Sequence, residues 1–502
     1  MKINLFNSKM VFLSTIEKSE KRLLIYLLLV QLFLYAYLLL TLPLHYDEWF
    51  SWRYFSSTTF FNTFSNYPAP NNHVFYNMVA RCFVVTKMDV EIAIRIPSLL
   101  SSLITSYYFY KICRSYFGQY LSIALLTILI SYDHFAFYSI EARGYSFVNL
   151  FCVLLIYSSM NLSLSYSGSK NRLMFVFSQF LGLYTVPSFL YVILPVGMTL
   201  FAFLIAKGGL KQLFLFVQDY FLTLILVLIG YSGILFFGDS TQLLNPEKWA
   251  NKFIFNDAEW LNNLLYYLDT RFYDIFGFYK LKTASLLVII TIIYYLIYGK
   301  LTEKFTIVVC AFMFFSPLFI VILHKIYPIP RTLYYLLLPS ILLIGFMLNP
   351  IILRITHIRL FHQLRKFRFF FYLLLLSLSI TNVLTFAKKS SEKTPWEYHL
   401  EWLRKNKLKD VLSQYHEISR TNSGFEFYPA EIISFMYNKE NSSGSINVTI
   451  LDSIKNQDLL IINGIEKSKY IQNLNNYKLV LEYNDIWIYQ TRKIQPVCLI
   501  NE

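Results

Sequence analysis

The chain has 502 residues, 56% of them hydrophobic and 19% aromatic against 15% charged. That balance excludes a soluble globular protein and indicates a polytopic membrane protein. A formal net charge of +15 would suggest nucleic acid in a soluble domain. Here the basic residues fall mainly in short loops between apolar runs, where they orient helices, so the charge reports topology and not an RNA or DNA site.

Lys2, Lys9, Lys18, Lys21 and Arg22 precede an apolar run from Leu23 to Leu42. About 20 residues at helical rise cross a hydrocarbon layer of about 30 Å. The run is too long for a signal peptide and no small-residue cleavage site follows, so it reads as a retained anchor. YDEWFSW, Tyr46 to Trp52, comes next and sets Asp47 and Glu48 at a membrane face. The rest of the loop 43–91 is aromatic and broken by YPAPNNH, whose prolines Pro68 and Pro70 force extended or turn backbone before His73. Such a segment suits one or two short interfacial helices.

Further apolar runs fall at about 92–112, 119–137, 145–163, 173–186, 188–206, 215–237, 284–298, 305–323, 333–349 and 369–387, giving about 11 spans with the first. With the N-terminus cytoplasmic, every inside loop is basic: Lys111 with Arg114, Lys170 with Arg172, Lys207 with Lys211, Lys300 with Lys304, and the cluster from Arg354 to Arg368. The outside segments hold the acidic residues, including those of the long loop 238–283. From Lys388 the sequence turns charged and rich in Asn and Ser, with one helix-like and several strand-like stretches and no run long enough to span. The expected organisation is a transmembrane catalytic domain, 1–387, and a small soluble extracytosolic α/β domain, 388–502. Cys82, Cys113, Cys152, Cys310 and Cys498 have neither disulfide nor metal-ligand spacing.

Drawn this way, the unusual polar residues gather on the external face: Asp47 and Glu48, His73, Arg95, Asp133, His134, Glu141 and Arg143, then His324, Lys325 and Arg331. Ionisable residues at membrane depth face a cavity or a partner, so a one-sided gathering from separate loops is a candidate site. A carboxylate accepts the proton of an attacking hydroxyl, while Arg, Lys and His hold a phosphate and stabilise the charge growing on it. Acid plus cations at a lipid interface suggest transfer from a lipid phosphate. The plain alternative is that these residues are interfacial anchors and internal ion pairs.

The order of motifs resembles the membrane-embedded GT-C glycosyltransferases, in the branch of protein O-mannosyltransferases and lipid A aminoarabinose transferases. It is carried by the Asp-Glu pair of the first loop, YPAPNNH, IRIPSLLSS, EARGYS and the late PIPRTLYYLLLP, over roughly residues 20 to 350. The resemblance implies an integral protein of the plasma (inner) membrane with an extracytosolic active site. It implies a polyprenyl-phosphate-linked sugar as donor, a lipid, glycan or protein acceptor, and an inverting displacement. By position, Asp47 or its neighbour Glu48 matches the catalytic base. Arg143 with Tyr145 matches the element near the donor, with Lys325 beside Arg331, the late arginine that contacts the phosphate. His73 takes the place of a polar residue near the acceptor or a metal, and Arg95, His134 and Glu141 are supporting candidates. Some relatives bind a divalent metal; this sequence has no compact ligand set, and metal dependence stays open. The competing readings are a non-enzymatic transporter or flippase of lipid-linked sugars, and a polysaccharide polymerase or ligase. Transporters place their polar groups at mid-membrane, whereas these are interfacial.

Overall fold

The computed structural model describes residues 18–42, 44–67, 72–238, 262, 264–270, 281–324, 330–356 and 368–390, with five strands further on. Lys325, residues 68–71, most of 238–283, most of the basic cluster 354–368 and most of 388–502 lie outside the described residues. The chain divides into two units, Met1–Leu42 with Phe50–Lys388, and Pro43–Trp49 with Lys389–Glu502.

The first unit is helical, and two of its helices cross into the second unit, Tyr46–Ser51 with residues 46–49 and Arg368–Ser390 with its last two residues. After α1 (Lys18–Thr41), the first-loop region forms α2 (Tyr46–Ser51), running into a single π-helical turn (Trp52–Ser56), then α3 (Phe60–Ser65) and α4 (Val74–Val84). The segment expected to form one or two short helices thus forms three, with a π-helical turn between the first two. α4 buries Val74, Tyr76, Asn77 and Ala80, the spacing of one helical face. The long helices follow as α5 (Val90–Tyr116), α6 (Gln119–Ser131), the short α7 (Asp133–Tyr138), α8 (Tyr145–Leu164), α9 (Ser169–Thr185), α10 (Leu190–Ala206), α11 (Leu210–Phe237), α12 (Leu281–Tyr298), α13 (Leu301–His324), α14 (Leu337–Thr356) and α15 (Arg368–Ser390). A 3₁₀ segment, Pro330–Leu336, leads into α14. Six helices among the described residues are long and apolar enough to cross a membrane. α6 is shorter because Tyr132 is extended, which splits the apolar run 119–137 in two.

Side-chain bonds fix the helix order: α1 and α5 are antiparallel, and α9 and α11 are parallel, with Tyr231 of α11 also donating to the Leu183 carbonyl of α9 at 2.7 Å. Where α1 begins and α5 ends, Glu20 is buried and accepts from the Tyr110 hydroxyl and from Arg114 Nε at 2.6 Å. Arg172 of α9 forks onto Asp219 of α11 at 2.7 and 2.9 Å, and Tyr166 donates to the same carboxylate. Bidentate, charge-assisted pairs of this kind fix helix register as well as contact. At the other end, where α1 finishes and α5 starts, buried Arg95 donates to the Leu39 and Leu42 carbonyls at 3.1 and 2.8 Å. The Leu39 carbonyl is in the last turn of α1 and the Leu42 carbonyl just beyond it, where intrahelical donors run out. In the second unit the described strands are β1 (His416–Ile418), β2 (Thr449–Ile450), β3 (Leu459–Asn463), β4 (Tyr477–Tyr483) and β5 (Ile486–Thr491), in the order β2-β1-β3-β5-β4. β1 is parallel to both its neighbours, and β5 is antiparallel to β3 and β4.

Candidate functional site

The two adjacent carboxylates differ in what they do. His45 is the N-cap of α2, and its carbonyl accepts from the Glu48 and Trp49 amides at 3.1 and 3.0 Å. Glu48 Oε2 in turn accepts the His45 amide at 2.9 Å. A glutamate at the third helical position reaching back to the N-cap amide is half of a capping box. Glu48 is thereby buried in local structure, whereas Asp47 is half-buried.

In the first unit the site is built from the chain around His73. Asn72 donates to the Thr63 and Asn66 carbonyls at 2.9 and 2.7 Å and accepts from Asn77 at 2.9 Å. These bonds fix the backbone at the N-cap of α4, which is His73 itself. Opposite, the turn between α7 and α8 carries EARGYS. Ser98 Oγ on α5 lies 2.6 Å from the Glu141 carbonyl and 2.9 Å from Tyr76 Oη, and the Arg143 amide donates to that carbonyl at 2.7 Å. Arg143 is 1% exposed and His73 4%, and Nη2 of the arginine lies 3.0 Å from Nε2 of the imidazole. Tyr145 holds both, its ring edge-on to His73 at 5.1 Å and 5.6 Å from the Arg143 guanidinium carbon.

Two further tyrosines extend the cluster. Tyr138 packs on Tyr145 at 5.2 Å and on Tyr334 at 4.5 Å. Tyr334 is one turn beyond Arg331 in the 3₁₀ segment, where residues three apart share a face. Burial, reinforced by Arg143 and then Arg331, holds the His73 imidazole well below the usual histidine range, so it is neutral at physiological pH. Burial also pushes the Tyr138 phenol well up; Glu141 and Tyr145 add to the rise, and the same two arginines oppose it. The polar groups brought together are thus His73, Glu141, Arg143, Tyr145 and Arg331.

The other candidates are placed differently. Arg95 caps α1, the helix from which the Asp47 segment continues. His134 is exposed and stacks on Tyr132 at 5.6 Å. Among the described residues, no group of three or more His, Cys, Asp or Glu is placed to hold a metal ion. Tyr138, Tyr334 and Ser98 escaped the sequence reading, since nothing marks two tyrosines among 40 or one serine in a helix rich in them. Gly144 stood inside EARGYS, but its purpose is spatial. A Cβ there would lie 2.5 Å from His73 Nδ1 and 2.5 Å from the Thr185 methyl.

The fold of the chain is similar to that of solved membrane transferases of the GT-C type. The solved structures it resembles include ArnT, the lipid A aminoarabinose transferase, from Cupriavidus metallidurans. The apo form superposes with a TM-score of 0.53 at 10% identity, and the form bound to undecaprenyl phosphate with 0.54 at 10% identity. Each comparison covers 94% of this chain and 98% of the other. An oligosaccharyltransferase from Archaeoglobus fulgidus, in complex with zinc and sulfate, gives 0.49 at 13% identity over 92% of this chain and 73% of its own. No protein-family model and no curated protein matches the sequence. The expected GT-C architecture is borne out at the level of the fold, and the long apolar helices make this an integral membrane protein.

Proposed function

We propose that this protein is a membrane-embedded glycosyltransferase that moves a sugar from a polyprenyl-phosphate donor to an acceptor hydroxyl on the outer face of the membrane, with inversion. The observation that carries the reading is the contact of Arg143 with the buried imidazole of His73 at 3.0 Å, at one end of a GT-C-like fold, with Arg331 near enough to act electrostatically on the same ring. The fork of a guanidinium matches a phosphate monoester or diester in geometry as well as charge. The undecaprenyl phosphate bound by ArnT makes a polyprenyl phosphate the natural candidate.

The chemistry follows as one displacement. The acceptor oxygen attacks the anomeric carbon, the bond from that carbon to the phosphate oxygen breaks, and the polyprenyl phosphate leaves as an anion held by Arg143 and Arg331. Asp47 takes the hydroxyl proton. Glu48 is committed to the cap of α2 and supports the loop. A retaining mechanism would need a second, nucleophilic carboxylate at close range, a poor role for a neighbour whose oxygen is bonded to backbone. About 11 spans, a cytoplasmic N-terminus and an extracytosolic C-terminal α/β domain complete the proposal, with Lys325 near the donor phosphate.

The test is transfer from a polyprenyl-phosphate sugar by the purified chain in lipid vesicles, with R143Q, R331Q and D47N. Loss of transfer in all three supports the reading. Movement of the lipid-linked sugar across the bilayer without any transfer would make the protein a transporter and overturn it.

A further inference from the structure

Arginine only donates hydrogen bonds, so the contact of 3.0 Å with Arg143 Nη2 requires an unprotonated Nε2 on His73. The imidazole proton therefore sits on Nδ1. That atom is buried beside Gly144, and it has no hydrogen-bond partner among the described residues. A buried donor left without a partner is costly, and an apolar side chain would fill the same space without that cost. What only the histidine supplies here is the acceptor on its other side. Its ring is fixed by the N-cap backbone of α4, by the edge of Tyr145 and by the absence of a side chain at position 144.

Resting on the donor-site reading above, we propose that His73 is a positioning residue for Arg143: its Nε2 accepts from Nη2 and sets the plane of the guanidinium before a lipid phosphate arrives. Arg143 carries five donors in one rigid fork, so fixing the direction of one fixes the others. Recognition of a phosphate by two parallel donors depends on that plane. A guanidinium whose plane is already set loses less freedom in each binding event. The neutral state of the ring serves the same purpose, because an imidazolium would lose the acceptor and add a third positive charge beside Arg143 and Arg331.

The experiment measures the affinity of the full-length chain in detergent for undecaprenyl phosphate, comparing wild type with H73Q, H73N, R143Q and the double variant H73N/R143Q. Glutamine places an amide oxygen near the position of Nε2, whereas asparagine is shorter and cannot reach Nη2; both are polar amides, so packing losses are similar. Expected are affinity within about threefold of wild type for H73Q and a loss of about tenfold or more for H73N, the scale of one charge-assisted bond. The double variant should bind no more weakly than R143Q alone, because the effect of His73 runs through Arg143. Thermal unfolding of each variant without ligand confirms that the fold persists. If H73N binds as wild type while R143Q does not, or if the two losses add, His73 does not position Arg143, and the donor reading survives. If R143Q itself binds as wild type, the donor site is misassigned and this inference falls with it.

Discussion

Replacing Gly144 by alanine sets two effects of opposite sign against each other. The residue has φ −68° and ψ −2°, an ordinary right-handed conformation at the N-cap of α8. Backbone considerations alone therefore favour alanine by about 0.4–1 kcal/mol through the unfolded chain. Against this, the new methyl carbon would sit 2.5 Å from His73 Nδ1, 3.0 Å from His73 Cβ and 2.5 Å from the Thr185 methyl. Carbon contacts settle at about 3.5–4.0 Å, so each neighbour must retreat by about an ångström. His73 is held by its backbone place at the N-cap of α4 and its ring by Tyr145; Thr185 Oγ1 is bonded to the Leu181 carbonyl at 2.7 Å. Overpacking against neighbours held in this way costs about 1–3 kcal/mol, and the net is destabilising. The assay is thermal unfolding of G144A and wild type in one detergent, with undecaprenyl phosphate affinity measured alongside. Both should fall, since the ring can move only by changing its distance to Arg143. An equal or higher unfolding temperature with undiminished affinity would refute the packing argument and the placement of His73.

Three more outcomes follow from the same geometry. The folded chain holds His73 below its ordinary range while the unfolded chain takes its proton at about 6.5, so the unfolded state binds more protons in between and stability falls as pH drops below about 6.5. The contribution of this one group is at most about 1.4 kcal/mol per pH unit; unfolding from pH 7 to 5 should show a steeper loss in wild type than in H73Q, and parallel curves would contradict a buried neutral ring. Arg95→Met removes both side-chain donors from the end of α1 and should cost about 1.5–3 kcal/mol, read as a lowered unfolding midpoint. In the transfer assay Asp47→Asn should lower kcat by on the order of 100-fold or more, while Glu48→Gln keeps an acceptor for the His45 amide and should leave most activity; equal damage from both would remove the distinction between base and cap.

What the sequence discloses depends on whether a feature is local or needs two distant segments. Each long apolar run has its helix, because length and hydropathy act within one stretch of chain. The split of 119–137 at Tyr132 has no glycine or proline to mark it, but Asp133 and His134 interrupt the apolar run directly after it and are the local signal for the break. The bond from the His45 amide to Glu48 is local, yet it was open. Glutamate at the third helical position is half of a recognisable signature, but the N-cap is His45 and not the Ser or Thr that completes it. The site is harder still to read. His73 and Arg143 are 70 residues apart and meet in one bond. Each looked like a free polar group in its own motif, so the sequence suggested two independent contacts to substrate where the fold makes one unit. The same holds for Arg95: near a membrane face it reads as a group for a ligand, and the fold spends at least two of its donors on the end of α1. A buried arginine in such a chain has two kinds of use, satisfying a helix terminus or meeting a substrate. Only its partners decide between them: Arg95 gives two bonds to the end of α1, whereas Arg143 gives one to the ring of His73.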